Sequence, residues 1–132
     1  MILLDSNMLI AYADEDDECH KQAVAIVTAV ESGKYGKAVV LDLVFSEVMT
    51  VLALKAKNKP VALKFAEIIK AAYGIAFSDE TLFLRALEIF KERPRLSFAD
   101  SALFAYAGLH GAEHIASFDR EFKKVPGAKI VC

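Results

Sequence analysis

Short apolar bursts alternate with longer amphipathic stretches along the whole chain. Ile2-Leu3-Leu4 is cut off by Asp5-Ser6-Asn7, and residues 8–13 then read as a brief helical turn, so a strand-to-helix junction falls at Asp5. An acidic run over 14–18 leads into a helix expected at 19–31, with Ala23, Ile26, Val27 and Val30 on one face and Gly33 and Gly36 beyond its end. Residues 38–41 read as a fully buried strand. Residues 44–57 read as a helix that is apolar nearly all round, which predicts a central position. Pro60 opens the next helix, where a missing N–H costs nothing, and Gly74 closes it, with Val61, Phe65, Ile68 and Ile69 as the buried stripe. A strand at 75–77 follows, then a helix at 79–92 capped by Ser78, containing Leu84, Leu87 and Phe90 and stopped by Pro94. Residues 97–110 form a further helix ended by Gly111. A strand at 114–117, a helical turn starting at Asp119 and an edge strand at Ile130-Val131 complete the pattern. Strands alternating with helices predict an α/β fold, a three-layer α/β/α sandwich with a central, mainly parallel sheet.

Composition narrows the possibilities. The 132 residues suit one domain with one core, and no repeat or linker divides them. A hydrophobic fraction of 55% excludes disorder and leaves apolar surface for a partner to cover. Sixteen Lys and Arg against 18 Asp and Glu give a net charge of −2, so a polyanion has to be held by local cations or by metal. Cys19 and Cys132 lack ligand spacing, which indicates neither zinc nor a disulfide framework and fits a reducing cytoplasm. No apolar run approaches a membrane span, so a soluble, unprocessed protein is expected.

Four acids occupy one kind of position. Asp5, Glu47, Asp100 and Asp119 each lie just past a strand or in the first turns of a neighbouring helix. Ligands of parallel sheets bind beyond the carboxyl ends of the strands, so convergence of the four at one edge is expected. Converging carboxylates raise one another's pKa and oppose folding unless a cation offsets them, and an all-oxygen set suits Mg²⁺ or Mn²⁺. A local reading competes, because helix N-termini favour acids. Asp5 serves equally well as a cap. Ser97-Phe98-Ala99-Asp100 has the form of a capping box, and Asp119 suits the turn after it. Glu47 differs, standing among Val44, Phe45, Val48, Met49, Val51 and Leu52, where an unpaired charge is expensive and a cation or Arg partner is expected. Asp42 reads as a turn residue. The three histidines have no ligand or catalytic spacing, and neither a Gly-x-x-x-x-Gly-Lys loop nor a Gly-x-Ser-x-Gly turn occurs.

Leu3-Leu4-Asp5-Ser6-Asn7, Ser46-Glu47-Val48, Leu96-Ser97-Phe98-Ala99-Asp100 and Ala116-Ser117-Phe118-Asp119, in that order, carry a resemblance. Across residues 1–122 the chain resembles the PIN-domain ribonucleases, and most closely the toxin subunits of VapBC-type toxin-antitoxin pairs. The resemblance implies that Asp5, Glu47, Asp100 and Asp119 are the catalytic acids and bind Mg²⁺ or Mn²⁺, with Asn7 and Ser117 orienting carboxylates or water. It implies hydrolysis of RNA phosphodiesters, a homodimer and a cognate antitoxin protein. Lys55, Lys57, Lys59, Arg93 and Arg95 are candidates to grip neighbouring phosphates. The alternative is a catalytically silent PIN fold that binds RNA or protein; an intact set of four acids argues against it. An Asp-x-Asp phosphatase is disfavoured because Asn7 holds the second position.

Overall fold

Five apolar bursts pair into one sheet in a computed structural model that describes all of residues 1–132: β1 (Ile2–Leu4), β2 (Ala38–Leu41), β3 (Gly74–Ala76), β4 (His114–Ala116) and β5 (Lys129–Val131). Their order is β3-β2-β1-β4-β5, every pair is parallel, and β1 is the middle strand. Between them run α1 (Ser6–Ala13), α2 (His20–Glu31), α3 (Asp42–Thr50), α4 (Lys59–Ala72), α5 (Glu80–Glu92) and α6 (Phe98–His110), with a 3₁₀ turn at Arg120–Lys124. The chain leaves β1 toward β2 and β3, then returns across the sheet to β4 and β5. Right-handed crossovers therefore put α1 to α4 on one face and α5 and α6 on the other. The packing agrees: α1 lies against α2 and α3, α3 against α4, and α5 against α6.

Covering on both faces explains why β1 is buried throughout and why Val39, Val40, Leu41, Ile115 and Ala116 join it in one continuous core. The expected α/β sandwich is the observed one.

Several local expectations need correction. The helix expected at 44–57 begins two residues earlier, at Asp42, and loosens into a π-helical turn over Val51–Lys55. It is not central, for only Val44, Val48 and Leu52 of the whole stretch are buried. Gly74 does not close α4; the helix ends at Ala72, Tyr73 is already extended, and Gly74 opens β3. Its buried stripe is Ala62, Phe65 and Ile69, leaving Val61 and Ile68 exposed. In α5 the inward residues are Leu82, Ala86 and Ile89, while Leu84 and Phe90 face out and Leu87 is half-buried. The apolar arc of that helix is wider than α6 alone covers. Phe77 lies past the end of β3 and is 77% exposed.

Asp79 caps α5 through Leu82 N–H, which frees Ser78 for another role. The Ser78 hydroxyl and N–H donate to the Asp42 carboxylate at 2.7 and 3.1 Å, and Leu43 N–H donates to it at 2.9 Å. Asp42 thus ties the start of α3 to the loop after β3. Asp42→Ala is expected to lower unfolding free energy by roughly 1–2 kcal/mol, partly screened at this half-exposed site. Urea denaturation measures it, and an unchanged midpoint would refute the tie.

Candidate active site

The site grows from the register of the middle strand. Leu4 pairs with Ala116, so the next residue of each strand, Asp5 and Ser117, stand side by side at the carboxyl edge of the sheet. This is also where the chain order reverses, the place where open α/β sheets leave a crevice. Asp5 N–H donates to the Ala116 carbonyl at 3.0 Å. The Ser117 hydroxyl donates to Asp5 Oδ2 at 2.6 Å, and Ser6 N–H donates to Oδ1 at 2.7 Å. Asp5 is 3% exposed and Ser117 fully buried.

A carboxylate so enclosed is costly to ionise. Burial pushes the Asp5 pKa up to about 7; the Ser117 bond opposes the rise, the Asp100 charge adds to it, Ser6 N–H opposes it and Glu47 adds again. Asn7 braces the arrangement. Its Nδ2 donates to Ser117 Oγ at 3.2 Å, its Oδ1 accepts from Phe118 N–H at 3.1 Å, and Asp119 N–H donates to the same Ser117 oxygen at 3.1 Å. The Ser117 hydroxyl is thereby saturated: one bond given to Asp5 and two received.

Asp100 completes the capping box in full. It accepts from Ser97 N–H at 3.0 Å while Ser97 Oγ accepts from Asp100 N–H at 3.0 Å. Burial raises the Asp100 pKa, the Ser97 bonds oppose that, and the charges of Asp119 and Glu47 reinforce it. Asp119 caps the 3₁₀ turn by accepting from Glu121 N–H at 2.9 Å. The capping reading is therefore real for Asp100 and Asp119, and Asp5 occupies the cap position of α1. Capping accounts neither for the burial of Asp5 nor for Ser117 beneath it.

Glu47 corrects an expectation. It is exposed and makes no ion pair, because α3 buries a single face, so the argument from a costly buried charge does not hold for it. It reaches the others through its field, which acts on both Asp5 and Asp100. The four acids thus occupy one electrostatic neighbourhood at one edge of the sheet. No three of them stand close enough together to grip a single ion. Each of Asp5, Asp100 and Asp119 is held by its own local bonds. The donor chemistry, oxygen only with one carboxylate already desolvated, fits a hard divalent cation.

Beside the acids lies a cavity of about 330 Å³ lined by Ser117, Asp119, Arg120 and Lys123. Arg120 and Lys123 were missed in the sequence, where nothing sets them apart from other surface cations. His20 bonds the Ala11 carbonyl at 2.8 Å through Nδ1 and His114 packs edge-on to Tyr35, structural roles as expected.

The PIN domain family model matches residues 2–128, and the chain belongs to that family. Among relatives, a VapC ribonuclease of Archaeoglobus fulgidus is 31% identical over 93 residues, 69% of this chain and 58% of its own length. The match therefore spans less than two thirds of that relative. Among solved structures, a sarcin-ricin-loop-cleaving VapC toxin of Mycobacterium tuberculosis superposes with a TM-score of 0.84 at 19% identity, covering all of both chains. A toxin-antitoxin complex from Klebsiella pneumoniae gives 0.71 at 21% identity, over 100% of this chain and 97% of that one. At these identities the superpositions establish the shared fold.

The raised Asp5 pKa carries a sign. The folded state holds this proton more tightly than the unfolded chain, whose value is 3.8, so the Asp5 contribution to stability is greatest at low pH and is lost as pH rises from about 4 to about 7. The metal-free stability difference between wild type and Asp5→Asn should therefore grow across that window, in the variant's favour, by up to about 4 kcal/mol. Urea titrations at pH 4.5 and 8 test it, and a difference that does not change with pH contradicts it.

Proposed function

We propose that the protein is a divalent-metal-dependent endoribonuclease, the toxin subunit of a VapBC-type pair, and that Asp5, Glu47, Asp100 and Asp119 carry its chemistry. The observation that bears most weight is the Asp5 carboxylate braced by Ser117, its pKa raised first by burial and then by the Asp100 and Glu47 charges, a costly arrangement that helix capping does not require. Membership of the PIN family and likeness to a VapC ribonuclease support the same reading.

Mg²⁺ or Mn²⁺, held by Asp5 and Asp100 with Glu47 and Asp119 directly or through water, would supply an acidified water and charge compensation at the scissile phosphate. The chain's own residues do the rest. Ser117 and Ser6 N–H each hold one oxygen of Asp5, Asn7 locks Ser117, and the Ser97 box holds Asp100 at the head of α6. Asp119 is presented by the same hydroxyl that positions Asp5, which couples the two acids. A homodimer and a cognate antitoxin complete the proposal. Large apolar side chains left exposed, including Leu63, Phe83 and Phe90, support a chain that works with partners, as does likeness to chains solved in toxin-antitoxin complexes. No helix is long and apolar enough to cross a membrane, and we place the protein in the cytoplasm with its two cysteines as free thiols.

A second reading has its own observation: Asp100 and Asp119 are both occupied as caps, which suits a silent binding module. Cleavage separates the two. With Mg²⁺ or Mn²⁺ the wild type is expected to cut RNA, EDTA to stop it, and Asp5→Asn or Asp100→Asn to slow it by on the order of 10²-fold or more while remaining folded. Ser117→Ala should lose about 10- to 100-fold. Cleavage that survives in both aspartate variants sinks the assignment.

A further inference from the structure

We propose that the turn after Asp119 and the loop before Ser97 form a clamp for an RNA backbone phosphate beside the active site, with Glu121 holding the phosphate's place in the free protein. The proposal rests on the nuclease reading for the identity of its ligand and on separate residues for its geometry. The net charge of −2 gives no bulk attraction to RNA, so a grip has to be local.

A cavity of about 250 Å³ lies between the two segments, lined by Glu92, Arg93, Arg95 and Leu96 on one side and Glu121 and Lys124 on the other, so three cations outnumber two carboxylates there. Both walls run directly into candidate acids. Leu96 precedes the Ser97–Asp100 box, and Glu121 N–H is bonded to Asp119 at 2.9 Å. The 3₁₀ turn sorts its own side chains, since three residues per turn put Glu121 and Lys124 on one side, Arg120 and Lys123 on another, and Phe122 inward. Phe122 is fully buried with its ring 5.1 Å from that of Phe104, which anchors the turn. Arg120 and Lys123 accordingly line the separate cavity that contains Ser117 and Asp119. Asp119 is thus flanked by cations on both sides.

Within the clamp one carboxylate oxygen, Glu121 Oε1, sits 3.0 Å from Lys124 Nζ and 3.7 Å from an Arg95 nitrogen. Glu121 is only 27% exposed, whereas Arg95 and Lys124 are 79% and 68% exposed. A part-buried anionic oxygen on which two exposed cations converge offers them the charge that a phosphate oxygen would. RNA binding would displace it, and the carboxylate meanwhile keeps the two cations gathered and partly neutralised. Lys55, Lys57 and Lys59 lie at the corner between α3 and α4 and line neither of the two cavities beside the Asp119 turn.

The test is fluorescence anisotropy of a labelled single-stranded RNA of mixed sequence, in EDTA so that nothing is cut, across a salt series. Arg95→Ala/Lys124→Ala should weaken binding about tenfold at about 50 mM salt and flatten the slope of log affinity against log salt by about 1.4, near 0.7 for each cation. Glu121→Gln keeps the backbone bond to Asp119 and should tighten binding about threefold or more. Lys55→Ala/Lys57→Ala/Lys59→Ala should stay within about twofold of wild type. Unchanged affinity and slope in Arg95→Ala/Lys124→Ala, no tightening in Glu121→Gln, or no measurable binding by wild type overturns the clamp. Parallel cleavage assays with Mg²⁺ or Mn²⁺ keep the two proposals apart. Cleavage without these binding changes rejects the clamp alone, and these binding changes without cleavage reject the nuclease reading alone.

Discussion

A carboxylate placed at the buried end of the middle strand constrains everything around it. Asp5 cannot move away, because its N–H is bonded to Ala116 in the strand beside it and its side chain is bonded to Ser6 and Ser117. Nor can it be ionised cheaply, since burial and two neighbouring acids hold its pKa near 7. The bonds from Ser117 and Ser6 offset part of that cost, and Asn7 spends two hydrogen bonds on keeping Ser117 and Phe118 in place. A stabilising architecture would put an apolar residue at such a position. Its occupation by Asp, with further acids adding to the strain, is what functional sites look like when stability is exchanged for chemistry.

The same residues satisfy local and global demands at once. Asp100 closes a reciprocal capping box at the head of α6, and Asp119 closes the 3₁₀ turn, so each is held by bonds that would form in any helix of that sequence. Topology then makes them neighbours. Strand order β3-β2-β1-β4-β5 brings the ends of β1 and β4 together at the switch point, and α6 begins beside them. Asp5, Asp100 and Asp119 each keep their own local bonds within a shared field, and the charges of Asp119 and Glu47 add to the cost of ionising Asp100.

Much of this was legible in the chain. The strand at 38–41, the helix opened by Ser97, the left-handed Gly111 that ends it and the turn at Asp119 follow from periodicity and capping chemistry, which act within a few residues. So do the positions of the acids relative to those elements. The failures share a cause, which is that an apolar residue in sequence does not say which neighbour covers it. Glu47 sits among apolar residues yet faces solvent, because α3 has a partner on one side only. Phe83 and Phe90 meet α6 through Phe98 at its head and stay about half exposed. Ser78 had the form of a cap and instead bonds Asp42, 36 residues earlier. The saturation of Ser117 by Asn7, Asp5 and Asp119 depends on a register between β1 and β4 that no local pattern encodes.

Asp5 carries an ionisation cost set by burial, which a divalent cation bound beside it would relieve. Carbon-13 NMR of the Asp5 side-chain carboxyl, followed through a pH titration with and without millimolar Mg²⁺, reads this directly. A midpoint near 7 in metal-free protein and a clear downward shift when Mg²⁺ is added are expected. A midpoint close to the ordinary 3.8, unmoved by Mg²⁺, would contradict it.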